Sequence, residues 1–231
     1  MSMQIKEKSK KLKELLSQKG YAVKHTHILQ ILSQLERNQS YESLIGQKKL
    51  SQKGQLQIDK ANKVLSLLQK SYPSAKISGG APRDWYLGDE ARDIDVCIPV
   101  KAINELYKDS EKLLTSLLKI LKPLNAKKEN FTTLIEAYGD IVGFAHGVIF
   151  EHDGLSYDFI FTTKENMPQL FDVSLSNITF DGKQFNPSTN FLNSLVQQEI
   201  KVPFNRLNEE KVRNYVTKLK EKFPTFNIVV D

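Results

Sequence analysis

The chain has 231 residues, of which 40% are hydrophobic and 26% charged, with a formal net charge of +6 and a pI near 9.1. That length accommodates one large domain, or a domain with an appendage, and the apolar fraction can fill a core in water. Its longest apolar runs, such as IVGF, fall short of the roughly 18 to 20 residues a bilayer span requires, so no membrane span is expected. The Lys-rich start MSMQIKEKSKKLKELL lacks the apolar stretch of a secretory signal, which predicts a cytoplasmic location. The positive charge permits attraction to polyanions, although the lysines near 6–13, 48–53, 118–128 and 211–222 fit solvated helix faces equally well.

Residues 4 to 70 carry helical signals only. Ile5, Leu12, Leu15 and Leu16 form one apolar stripe; after Gly20, a second runs through Ile28, Leu29, Ile31, Leu32 and Leu35, with Thr26 in N-cap position. A third helix is predicted from Ser40 or Tyr41 through Leu50, and a fourth from Ile58 to Gln69, closed by Pro73. His25 and His27, two apart at a helix start, point in different directions and fit surface or packing roles better than a metal pair. Together these segments predict an all-helical N-terminal domain over residues 1–72.

From Pro73 the pattern alternates between strand and helix. Lys76 to Ser78 reads as a strand, Pro82 to Leu87 as a short helix opened by proline, and Asp93 to Pro99 as a strand. Cys97, the single cysteine, lies in that last run, where buried and inert packing is expected. An amphipathic helix is predicted over 102–122, ended by Pro123. HGVIFEH and LSYDFIFT flank Asp153-Gly154, and ITF and KQF flank Asp181-Gly182, both hairpin signals. A Lys-rich helix near 207–222 and a short FNIVV strand close the chain. The expectation is a mixed α+β domain over 73–231 with a short C-terminal helical segment.

The stretch ISGGAPRDWYLGDEARDIDVCI, residues 77 to 98, carries the chemistry. On a strand, Asp93 and Asp95 project from one face while Ile94 turns into the core. Two adjacent carboxylates repel, and a divalent cation relieves them; Mg²⁺ takes one or two carboxylates together with substrate phosphates and water. Such a pair can hold two ions about 3.5 to 4 Å apart. Gly79 and Gly80, between strand and helix, let backbone amides approach a triphosphate, and Arg83, one turn on, can add a charge-assisted phosphate contact. Asp84 can pair with Arg83, cap local backbone or help place the metal.

Residues 79 to 95 resemble the head-domain signature of class II nucleotidyltransferases, the tRNA CCA-adding enzymes and bacterial poly(A) polymerases. That signature reads G-G-x-V-R-D-x-x-L-G-x-x-x-x-D-x-D, and every fixed position is met except the valine, which is Pro82 here. The resemblance implies a polymerase-β-like fold, dependence on Mg²⁺ (with Mn²⁺ a substitute), and transfer of a nucleoside monophosphate from an NTP with release of pyrophosphate. It also implies a third carboxylate on a neighbouring strand that binds metal and accepts the acceptor's proton; Asp158, inside the apolar run LSYDFIFT, is the best match, with Glu136 second. LFDVSLSNITFD is similar to R-R-D-F-T-I-N-A-L without its arginines, which sets Asp172 near the ribose. NEEKVRNYVTKLKEKF is similar to E-D-x-x-R-x-x-R, which sets Glu210 and Arg213 where CCA-adding enzymes read the base of CTP or ATP; an ordinary i,i+3 pair on a solvated helix explains them equally well. His146, Tyr138 and Phe144 fall where the family's Gly-rich segment nears the nucleotide, and packing accounts for them too.

The expected activity is therefore nucleotidyl transfer to an acceptor hydroxyl, with an RNA 3′ end favoured, tRNA included, and a protein side chain or small molecule as alternatives. The competing expectation is an inactive or regulatory nucleotide-binding module of a toxin-antitoxin or phage-defence system. A metal-dependent nuclease or phosphatase would have no use for the double glycine and the Arg-Asp helix.

Overall fold

The computed structural model describes residues 3–18, 23, 28, 50–101, 109–134, 144–163, 173–202 and 209–230. Its helices among these are α1 (Met3–Gln18), α2 (Gln52–Ser71), α3 (Gly80–Tyr86), α4 (Ser110–Ile120), α5 (Thr189–Gln197) and α6 (Glu209–Lys222). The strands are β1 (Lys76–Ser78), β2 (Ile94–Pro99), β3 (Phe131–Leu134), β4 (Phe144–His152), β5 (Leu155–Thr162), β6 (Ile178–Phe180), β7 (Phe185–Pro187), β8 (Glu199–Val202) and β9 (Asn227–Val230). Two compact units result: Leu50–Phe171 with Ser176–Pro187, and Met1–Lys49 with Asp172–Leu175 and Ser188–Asp231.

The first unit is built on a seven-stranded sheet of order β3-β4-β5-β2-β1-β6-β7. β2 and β5 run parallel, while the other neighbouring pairs are antiparallel, so the sheet is mixed as expected. Strict alternation sorts its residues. Ile94, Val96 and Ile98 of β2 and Tyr157, Phe159 and Phe161 of β5 join one core with Ile77, Val148, Phe150 and Phe180. Helices supply the other half of that core: Ile58, Ala61, Val64, Leu65 and Leu68 of α2, Ala81 and Trp85 of α3, and Leu113 and Leu117 of α4. The α2 residues recur at the spacing of one helical face.

Helix α2 begins at Gln52 rather than Ile58, because Ser51 caps it, its hydroxyl accepting from the Gly54 N–H at 2.9 Å. The first turn is polar, so no apolar repeat marks it. Its apolar stripe packs in the sheet's core, within the unit that contains Leu50–Phe171. Helix α3 starts at Gly80, placing Pro82 in a first turn where its missing N–H costs nothing. Strand β2 begins one residue after the expected Asp93. Within the helix predicted over 102–122, Ser110–Ile120 is α-helical, capped by Asp109, and Lys122–Leu124 tightens to 3₁₀ around Pro123; residues 102–108 lie outside those described. The predicted second and third N-terminal helices fall almost wholly outside the described residues, as do His25 and His27.

Both Asp-Gly hairpins are present. Asp153 and Gly154 take φ of 52° and 75° between His152 and Leu155, the two positive values of a type I′ turn. At the second, Asp181 accepts from the Lys183 and Gln184 N–H groups at 2.8 and 2.9 Å, and Gly182 lies against Asn62 and Leu65 of α2.

In the second unit, β8 and β9 pair in parallel, with α6 between them in the chain. Helix α5 is N-capped by Ser188, and the Ser174 hydroxyl bonds Ser194 at 2.6 Å and accepts from the Lys201 N–H at 2.9 Å. Helix α1 leaves Leu15 exposed.

Two substitutions probe the sheet core in chemical denaturation. Leu65 is fully buried, so Leu65→Ala is expected to lower unfolding free energy by about 2–5 kcal/mol. The Tyr157 hydroxyl is buried without a partner among the described residues, so Tyr157→Phe is expected to leave stability unchanged or raised.

Candidate active site

The face of the sheet opposite the helices holds the carboxylates. Asp95 of β2 is in register with Asp158 of β5, and Ser78 of β1 is in register with Asp95. Because their neighbours in sequence fill the core, Asp95, Asp158 and Ser78 project from the other face, with Thr179 of β6 beside Ser78. A polar row thus crosses four strands: Thr179, Ser78, Asp95, Asp158. Adjacent strands lie about 4.8 Å apart, so the two carboxylates are immediate neighbours. Ser78 and Thr179 are buried and Asp95 and Asp158 half-buried, so the row opens to solvent at its acidic end.

Asp93 precedes β2 in a bend and pairs with the exposed Arg92, whose Nε donates to Asp93 Oδ2 at 2.9 Å. The hydrogen bond and charge of Asp93 raise the Arg92 pKa, and the charges of Asp95 and Asp158 add to it. One guanidinium therefore lies in the field of all three carboxylates. Sequence reasoning passed over Arg92, although its place beside Asp-x-Asp was the available signal. Among the described residues, no group of three or more His, Cys, Asp or Glu side chains is arranged to hold a metal ion. An open pair of hard oxygen donors remains, which suits Mg²⁺, a cation that completes its shell with water and substrate phosphates.

Gly79 and Gly80 follow Ser78 directly, at the end of β1 that adjoins the start of β2. Gly79 has φ 75°, a conformation that favours glycine, and no side chain caps α3 there. Arg83, expected as a phosphate contact, is mostly buried: its Nε donates to Asp84 at 2.7 Å and its Nη1 to Ser176 at 3.0 Å. Asp84 therefore pairs with Arg83, one of its three expected roles. The Nη2 end lies against Gly80, where an added Cβ would approach it to 3.4 Å.

Glu210 and Arg213 are exposed on α6, in the other unit. Asp172, Glu136 and Tyr138 lie outside the described residues. His146 and Phe144 are on β4, where the pairing with β5 shifts register between them, an irregularity of the kind found beside functional sites. Cys97 shares the carboxylate face, and burial, opposed by the Ser78 hydroxyl and reinforced by the Asp95 charge, pushes its thiol up to about 12.

This sheet and its helices have a polymerase-β-like fold. In particular, the chain is similar to the Bacillus stearothermophilus CCA-adding enzyme solved in complex with CTP, with TM-score 0.50 and 16% identity, covering 74% of this chain and 40% of that one. The Thermotoga maritima CCA-adding enzyme complexed with tRNA aligns with TM-score 0.48 and 15% identity, covering 81% and 42%. The chain thus spans about four tenths of the length of these enzymes. No protein-family model and no curated protein sequence matches it. Among the described residues, no helix is long and apolar enough to cross a membrane.

A buried thiol that stays neutral below about pH 12 is a poor nucleophile. In the folded protein at pH 8, Cys97 is expected to resist Ellman's reagent over hours; in denaturant it should react within minutes and stoichiometrically. Rapid labelling of the native chain would show that the carboxylate face is open at Cys97.

Proposed function

We propose that the chain is a divalent-metal-dependent nucleotidyltransferase that moves a nucleoside monophosphate from an NTP to an acceptor hydroxyl, with an RNA 3′ end as the favoured acceptor. The observation that carries this reading is the in-register pair Asp95 and Asp158 next to the Gly79–Gly80 turn. The similar CCA-adding enzymes solved with CTP and with tRNA support the choice of donor and acceptor.

Each residue has a distinct task. The Gly79–Gly80 backbone receives the triphosphate, and the Nη2 of Arg83, fixed through Asp84 and Ser176, adds positive charge at Gly80. Asp95 and Asp158, with Asp93 once Arg92 releases it, would hold Mg²⁺ or Mn²⁺, two ions in the full complex. When bound, such cations supply charge neutralisation for the phosphates and acidify the attacking hydroxyl. Asp158 takes the proton of that hydroxyl as its oxygen bonds the α-phosphorus and the bond to pyrophosphate breaks. For Asp172 at the ribose and for Glu210 and Arg213 at the base, the support is the likeness of their segments to the later motifs of the family.

The test is label transfer. Protein incubated with Mg²⁺ and each α-labelled NTP is expected to release pyrophosphate and label bulk tRNA or RNA oligonucleotides. Asp95→Ala and Asp158→Ala should each lower transfer at least about a hundredfold with the thermal midpoint retained. Nucleotide binding without transfer to RNA, protein or small hydroxyl acceptors would favour the regulatory module instead. Arg213→Ala should flatten the preference among NTPs; an unchanged preference returns Arg213 to a solvated helix face.

A further inference from the structure

The two polar tasks of this site, holding phosphates and holding cations, are linked by the segment from Gly88 to Asp93, and that segment is tied to α2 by one side chain. Gln57 meets Ala91 with both ends of its amide: Oε1 accepts from the Ala91 N–H at 2.8 Å, and Nε2 donates to the Ala91 carbonyl at 2.9 Å. The same Oε1 also accepts from the Trp85 indole N–H of α3 at 3.0 Å. Its acceptor capacity is then full, and the amide orientation is forced, because a flipped NH₂ would face two N–H donors. Gly54, one turn earlier on α2, is packed closely enough that an added Cβ would lie 3.4 Å from the Asp89 carbonyl. Ala91 itself is buried, while Arg92 beside it is exposed.

We propose that Gln57 is a positioning residue for the metal-binding carboxylates. By fixing Ala91 on both backbone groups, it sets the entry of β2 and hence the relation of Asp93 to Asp95 and of both to the glycine turn. This inference rests on the nucleotidyltransferase reading, and it adds to it a residue outside the stretch that carries the chemistry. Residues that orient metal ligands without touching the metal typically govern affinity by 10- to 100-fold. Gln57 acts at one remove from Asp93, so about tenfold is expected.

Two measurements on the full chain test it, neither of them turnover. Mn²⁺ binding in the presence of a non-hydrolysable ATP analogue is followed by the electron paramagnetic resonance of free Mn²⁺, and amide hydrogen exchange is read at Ala91. Gln57→Ala is expected to weaken Mn²⁺ binding about tenfold and speed Ala91 exchange at least tenfold, with the β2 and β5 core amides unchanged. Gln57→Glu keeps both acceptor bonds and loses the donor to Ala91, so it should fall between Gln57→Ala and the unmodified chain. Trp85→Phe removes the indole bond and some buried ring volume while leaving both Ala91 bonds, and should preserve Mn²⁺ binding; an equal loss there would mean that Gln57 acts through general packing, which overturns the proposal. So would unchanged Mn²⁺ affinity in Gln57→Ala with faster Ala91 exchange, or unchanged exchange. Failure of the unmodified protein to bind Mn²⁺ with the analogue would instead overturn the nucleotidyltransferase reading beneath it.

Discussion

The parallel pairing of β2 with β5 is the constraint on which the candidate site depends. Side-by-side carboxylates repel, and nothing in their own chemistry would bring Asp95 next to Asp158. They are held there because the opposite faces of the same two strands carry Ile94, Val96, Ile98, Tyr157, Phe159 and Phe161, all buried in one core. Apolar burial, at about 25 cal/mol per Å², thus offsets the electrostatic cost of an acidic pair kept at the edge of solvent. The arrangement leaves a concentrated negative charge whose field the Arg92 guanidinium shares.

Helix α2 translates that constraint to the rest of the unit through polar ties as well as packing. Gln57 secures the segment before β2, Lys60 donates to the Asp153 carbonyl at the β4–β5 turn, and Gln69 donates to the carbonyls of Ala75 and Asp181. Four turns or strand entries around the sheet are therefore referenced to one rigid rod. Its apolar face determines where the rod lies, and its amides determine where the loops begin and end.

Much of this was legible because the signals are local. The two Asp-Gly turns, the Gly79–Gly80 break and the alternation around Asp95 and Asp158 each act within a few residues, and their backbone consequences follow from sterics. The role of α2 was not, since its apolar spacing states that a face is buried and says nothing of what covers it. Gln57 was illegible for a related reason: its partner Ala91 is 34 residues away, and a glutamine on a helix has no distinctive pattern. Arg83 lay between these cases. The chemistry of its charge was readable, whereas its engagement by Ser176, 93 residues on, required the fold.

The turn at Asp153-Gly154 has a consequence for how such a chain can change. Gly154 projects into open space, so the tip itself accommodates other side chains wherever the positive φ is tolerated. Its length is another matter. Side chains alternate faces along β5, so displacing that strand by a single residue would turn Tyr157 toward the acidic row and drive Asp158 into the aromatic core. The hairpin therefore has a parity: its composition can drift, while its residue count is locked to the identity of the face that carries Asp158.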